Sequence, residues 1–115
     1  MARDLLRQFF GGFVRLHVLY HAAKEPIWGV EIMEELQRHG YKLSPGTLYP
    51  ILHQLEAAGV LIAKTIIVSG KRRKTYRITR TGRKLLQEAR GKLGELVSEV
   101  LEDRDARHIG EGDDQ

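Results

Sequence analysis

Leu48, Ile51, Leu52 and Leu55 recur at three- and four-residue steps, so they share one face of a helix that packs on a core. Ser44 can cap the start of that helix. Pro45 suits its first position, where the missing amide would have no partner. Gly59 suits the left-handed residue that ends a helix. The opposite side carries Thr47, Tyr49, His53 and Gln54. Pro50 lies six positions in and removes a backbone bond, at a typical cost of about 3 kcal/mol. We therefore expect a distorted first turn, or a regular helix that starts nearer Thr47.

The stretches on either side have their own periods. Residues 5–23 are apolar and helical in pattern, but Gly11 and Gly12 interrupt them at about 1 kcal/mol each. Two outcomes fit: a short turn ending near Phe10 and a helix from Gly12 to Ala23, or one helix weakened at the glycines. The apolar residues from Leu5 to Tyr20 cover too wide an arc for one buried stripe. A second copy of the chain is the cheapest cover for the remainder. Lys24-Glu25-Pro26 breaks the helix, and Ile27-Trp28 reads as a short edge strand. Val30, Ile32, Met33 and Leu36 then alternate with Glu31, Glu34, Glu35 and Arg38, predicting an amphipathic helix over Gly29–His39 with Gly40 as its stop. Tyr41-Lys42-Leu43 is a short turn into the next helix, which makes a helix-turn-helix.

Val60–Val68 is rich in β-branched residues and reads as a strand. Ser69-Gly70 is a turn, Lys71-Arg72-Arg73-Lys74 a basic continuation of it, and Thr75–Ile78 the return strand. Thr79 can cap a last helix from about Arg80 to Asp103. In it Leu86, Ala89, Leu93, Leu96 and Val100 step by three and four residues, as in a heptad seam. The seam is short, and Gly91 and Gly94 weaken it. We expect a crossed or antiparallel helix pair across a dimer axis; the alternative is a helix lying on its own domain. The polar, acidic stretch from Arg104 to Gln115 reads as disordered. The order is that of a winged helix-turn-helix: mainly α with a small β-hairpin (α+β). Residues 1–79 form the winged domain, 80–103 a dimerisation helix and 104–115 a tail.

Composition narrows the function. A chain of 115 residues fits one domain, and with no cysteine it has neither disulfides nor thiolate-bound metal. The first residues include a charge and only short apolar runs follow, so we expect no signal peptide, no membrane span and a cytoplasmic protein. The net charge of +4 is unevenly spread. Residues 41–84 hold ten Lys and Arg against Glu56 alone, whereas residues 85–115 are net acidic. Positive charge thus concentrates on the third helix and the hairpin, as on a surface that meets a polyanion.

Specific chemistry follows from residue types. The N-terminal amides of the third helix suit a phosphate, and Gly46 keeps bulk away from them. The hydroxyls of Ser44, Thr47 and Tyr49 can reach phosphates or base edges, though Tyr49 could instead be a half-buried support of the turn. Gln54 can pair bidentately with adenine, beside His53; a merely solvated face is the competing reading for both. The helix has no Arg, Lys or Asn, so direct base readout is expected to be modest. Affinity should come from phosphate contacts by Lys42, Lys71, Arg72, Arg73 and Lys74, with Arg72 or Arg73 entering a minor groove. His17 and His21 are four apart on one helix, but no third metal ligand is suggested nearby. No phosphate loop and no nucleophile–base pattern appears, which argues against an enzyme.

The run Leu43-Ser44-Pro45-Gly46-Thr47-Leu48-Tyr49-Pro50-Ile51-Leu52-His53-Gln54-Leu55-Glu56-Ala57-Ala58-Gly59-Val60-Leu61 resembles the recognition-helix signature of the PadR family of transcriptional regulators. Trp28-Gly29-Val30-Glu31-Ile32, Arg72–Thr79 and Thr81-Gly82 are similar to that family in the same order, over about residues 12–103. The resemblance implies a winged-helix homodimer that binds double-stranded DNA at a palindromic operator, as a repressor. It implies dimerisation through the first and last helices, and it points to Tyr49 as DNA-facing. From the residues, Phe9, Phe10, Phe13, Leu86, Ala89, Leu93, Leu96, Val97 and Val100 are the candidates for the dimer contact. Some family members bind apolar or aromatic effectors at that interface, where Phe9, Phe10, Phe13, Leu93 and Val97 could line a space, although such residues more often form core. A winged helix used only for protein interaction, and a nonspecific architectural DNA binder, are the alternatives.

Overall fold

The computed structural model describes residues 1–102, so the expected tail lies outside the described residues. The elements are α1 (Ala2–Lys24), β1 (Ile27–Trp28), α2 (Gly29–Arg38), α3 (Pro45–Ala57), β2 (Leu61–Val68), β3 (Lys71–Ile78) and α4 (Arg80–Val100). The sheet is antiparallel in the order β1-β3-β2, with Ile27 opposite Tyr76 and Leu61 opposite Ile78.

The leucine stripe of α3 does what its spacing predicts. Leu48, Ile51, Leu52 and Leu55 are buried together with Val14, Val18 and Leu19 of α1, Ile32 and Leu36 of α2, and Leu61, Tyr76 and Ile78 of the sheet. Gly40 and Gly59 end their helices at φ +89° and +79°, a region glycine enters without steric cost.

Of the two outcomes open for the first helix, the structure has one helix through Gly11 and Gly12. The Arg15 guanidinium donates to the Gly11 carbonyl at 2.9 Å across that point. Several other expectations need correction. α3 begins at Pro45 and runs through Pro50 to Ala57, so neither the distorted turn nor the late start is found. Pro50 and Gly46, the residue whose carbonyl a residue-50 amide would have met, are both exposed on the outer face of the helix. That placement limits the cost of the lost bond. Ser44 occupies the capping position without capping a backbone amide; its hydroxyl lies 3.3 Å from that of Thr47. Lys71–Lys74 is not a turn but the first half of β3. The reversal is confined to Ser69 (φ +51°) and Gly70 (φ +77°), a two-residue turn whose twist matches the flanking strands. Val60 precedes β2 instead of opening it, and α4 ends at Val100.

α4 is anchored at its start. The Thr79 hydroxyl accepts from the Gly82 amide at 3.0 Å, as expected of a cap, and donates to the Gly59 carbonyl at 2.6 Å. Gly82 is buried so closely that a Cβ there would collide with the Val60 carbonyl and the Ile78 side chain. Gly82→Ala is expected to destabilise the chain by about 1–3 kcal/mol, read as a lower urea midpoint. An unchanged midpoint would contradict the packing described.

Candidate nucleic-acid interface

With its leucine stripe buried, α3 turns Gly46, Pro50, His53 and Ala57 outward, all exposed and one or two turns apart. No charged side chain stands on this strip. Thr47 and Gln54 lie to one side of it, Tyr49 and Glu56 to the other.

The two flanks have different partners. Toward α1, the Arg15 guanidinium donates to the Gln54 side-chain oxygen through Nη2 at 2.6 Å and Nε at 3.2 Å. Bidentate pairing with adenine needs that oxygen, so Gln54 would first have to leave Arg15. Toward the wing, the Tyr49 ring packs across Gly29 at the start of α2, where any Cβ would overlap it. Tyr49 is therefore half-buried, as a support of the turn would be, with its hydroxyl end at the first residue of α2. Gly29 was missed by sequence reasoning. A glycine directly after a tryptophan, where no turn requires one, is the signal that could have found it.

β1 is only two residues long, so β3 runs past it and leaves one edge open. A groove of about 320 Å³ forms there between Tyr49, His53 and the wing residues Arg72, Arg73 and Lys74. Arg73 sits over the Trp28 ring, 5.8 Å from its centroid. Lys74 lies 5.4 Å from the centre of the Tyr76 ring, and its Nζ is 3.7 Å from Glu56 Oε1. Lys71 and Arg72 are exposed nearer the tip. The structure thus brings Tyr49, His53, Arg72, Arg73 and Lys74 to one groove. It places Gly46 on the outer strip and Ser44, Thr47 and exposed Lys42 near the start of α3, outside the groove.

The candidate dimer residues divide as well. Leu86 belongs to the chain's own core, and Ala89 and Val97 are half-buried. Phe9 (54 % exposed), Phe10, Phe13, Leu93, Leu96 (53 %) and Val100 (65 %) are uncovered within one chain. Phe10 makes an edge-on contact with Tyr41, at 6.1 Å between ring centres. Among the described residues no helix is long and apolar enough to cross a membrane.

The sequence profile described as the transcriptional regulator PadR-like family matches residues 18–88. The chain belongs to that family. It is 50 % identical over 96 residues to "Transcriptional regulator Rv3488" of Mycobacterium tuberculosis, a match covering 84 % of this chain and 90 % of that one. Among solved structures it is similar to a PadR-like transcription factor from Bacteroides fragilis (TM-score 0.73, 25 % identity, 92 % of this chain and 98 % of that one). It is also similar to a PadR-like transcriptional regulator from Bacillus cereus (TM-score 0.75, 28 % identity, 81 % and 92 %). These relatives are transcriptional regulators, not enzymes, and the PadR-like chain described here is a transcriptional regulator with the winged-helix fold.

In this PadR-like regulator His17 and His21 of α1 meet His39 at the end of α2. The His17 ring centre lies 4.9 Å from that of His39 and 6.4 Å from that of His21. Glu35 Oε1 is 3.3 Å from His39 Nε2 and 3.6 Å from His21 Nε2, and Arg38 donates to the other Glu35 oxygen. Burial, then the neighbouring His39 and His21, push the His17 pKa down, against a weaker pull from Glu35. The Arg38 hydrogen bond holds the Glu35 carboxyl below its ordinary range, with burial opposing. Because the folded chain resists protonating His17, stability falls as pH drops through the ordinary histidine value of 6.5 toward the lowered one. The Glu35 contribution is complete above its ordinary value of 4.5 and is lost as pH falls through its lowered value. Both act in one direction. Urea midpoints are expected to drop between about pH 7.5 and pH 5, and His17→Gln should flatten the upper part of that drop.

Proposed function

We propose that this PadR-like regulator binds double-stranded DNA as a symmetric homodimer and represses transcription from an inverted-repeat operator. One observation carries the reading: a cationic hairpin stands beside an uncharged, fully presented helix face, with a groove between them. A helix face of Gly46, Pro50 and His53 can approach base edges closely but reads few of them. The wing cations Lys71, Arg72, Arg73 and Lys74, with Lys42 at the other end of α3, supply phosphate attraction. Recognition then rests on DNA shape as much as on direct contacts.

A second chain is supported by the apolar surface of α1 and α4. Phe9, Phe13, Leu93, Leu96 and Val100 are too many large exposed apolar residues for a solitary chain of this size. Pairing through these helices would set two α3 helices about 34 Å apart, in successive major grooves. Protein interaction without DNA, and nonspecific architectural binding, are the readings that the same experiments can establish instead.

Footprinting on DNA upstream of the regulator's own gene tests the proposal; a protected inverted repeat is expected. The double variant Arg72→Ala/Arg73→Ala should weaken binding to every sequence and lower the slope of log affinity against log salt by about 1–2. An unchanged slope would remove the wing from the interface. Leu96→Glu should give monomers by analytical ultracentrifugation while leaving the far-ultraviolet circular dichroism spectrum intact. A wild-type chain that sediments as a monomer at micromolar concentration would overturn the homodimer.

A further inference from the structure

The wing carries an apolar side chain at its tip that nothing among the described residues covers. Ile67 is 72 % exposed and Val68 39 % exposed, in a hairpin whose register is unbroken from Leu61↔Ile78 to Val68↔Lys71. That register and the two-residue alternation of strands decide which way Ile67 faces. It lies directly opposite Arg72, so the two share a sheet face. The same face carries Lys74 and Tyr76 along β3. Tyr76 is in the core and Lys74 reaches Glu56 of α3. Ile67 therefore projects on the α3 side of the hairpin, beyond the point where helices cover the sheet. The left-handed pair Ser69 and Gly70 closes the hairpin tightly, so Ile67 is held on a paired strand and not on a loose loop.

We propose that Ile67 is a minor-groove wedge. It enters the minor groove next to the major groove that faces α3 and packs against sugars and base edges, while Arg72 beside it meets the negative potential there. The inference rests on the DNA-binding reading above and adds the residue that bends or locks the flanking duplex. The neighbours of Ile67 select DNA over a greasy protein partner. Ile66, Ile67 and Val68 each stand opposite a cation, Arg73, Arg72 and Lys71 respectively, and no acidic residue occurs between Ala57 and Thr79. An apolar protein surface would leave those cations desolvated and unpaired. A minor groove offers apolar walls and concentrated negative charge together, and apolar wedges are a recurring way of kinking it.

The test uses the full chain and the footprinted fragment from upstream of its own gene, end-labelled for anisotropy and for fluorescence energy transfer. Ile67→Ser is expected to weaken binding about tenfold, to leave the salt slope unchanged and to reduce the bend. Ile67→Leu should restore both affinity and bend. Equal affinity and equal bend for wild type and Ile67→Ser would overturn the wedge while leaving the DNA-binding reading intact. A loss of self-association in Ile67→Ser, with unchanged affinity per dimer, would also overturn it and make the tip a contact between copies. If the wild type protects no fragment, the underlying reading fails and the wedge falls with it.

Discussion

A helix can present its outer face to a ligand only when its inner face is fixed. In this chain four side chains of α3 do the fixing. Leu48, Ile51, Leu52 and Leu55 lie between α1, α2 and the sheet, each contributing on the order of 1.5–3 kcal/mol by leaving water. Their burial sets the rotation of α3 about its axis, and that rotation alone puts Gly46, Pro50, His53 and Ala57 outward. It also sends Gln54 toward Arg15 and Tyr49 toward Gly29. The remaining contacts of the site are consequences of this one registration.

The second constraint is electrostatic. Cations crowd onto β3, where two of them are braced. Arg73 rests on the Trp28 ring, and Lys74 lies between the Tyr76 ring and Glu56. Such contacts shorten the reach of a long side chain and reduce the entropy lost when it meets a phosphate. Lys71 and Arg72, nearer the tip, have no comparable bracing among the contacts described. The cationic side chains are thus braced at the base of the wing and less restrained toward its tip, on a backbone that stays paired to Val68↔Lys71.

What could be read in advance follows a physical line. Helix periods, helix stops and the two-residue turn are local, and α2, α3 and the hairpin were legible from them. Local pattern left α1 open between two outcomes at its glycines, and the continuous helix forms because a cost of about 1 kcal/mol per glycine is small beside the packing of Val14, Val18 and Leu19 that follows. The strand character of Lys71–Lys74 was hidden for a related reason. A strand exposed on both faces shows no alternation of polar and apolar residues, so its cations read as a turn. Within the site, the clustering of basic residues was visible, but the Arg15–Gln54 and Gly29–Tyr49 contacts were not. They join segments far apart in sequence, and only the folded core brings them together.

Trp28 gives the fold a built-in optical reporter. It is the only tryptophan in the chain, and it sits at the junction of β1 and α2 beneath Arg73, at the rim of the groove. Indole emission depends on nearby charge and on water. Anything that lifts Arg73 from the ring or fills the groove therefore changes the light this single residue emits, without a label or an altered residue. The proposed occupancy at the wing and the proposed pairing through the distant helices can then be followed separately in one sample, the first by emission and the second by light scattering.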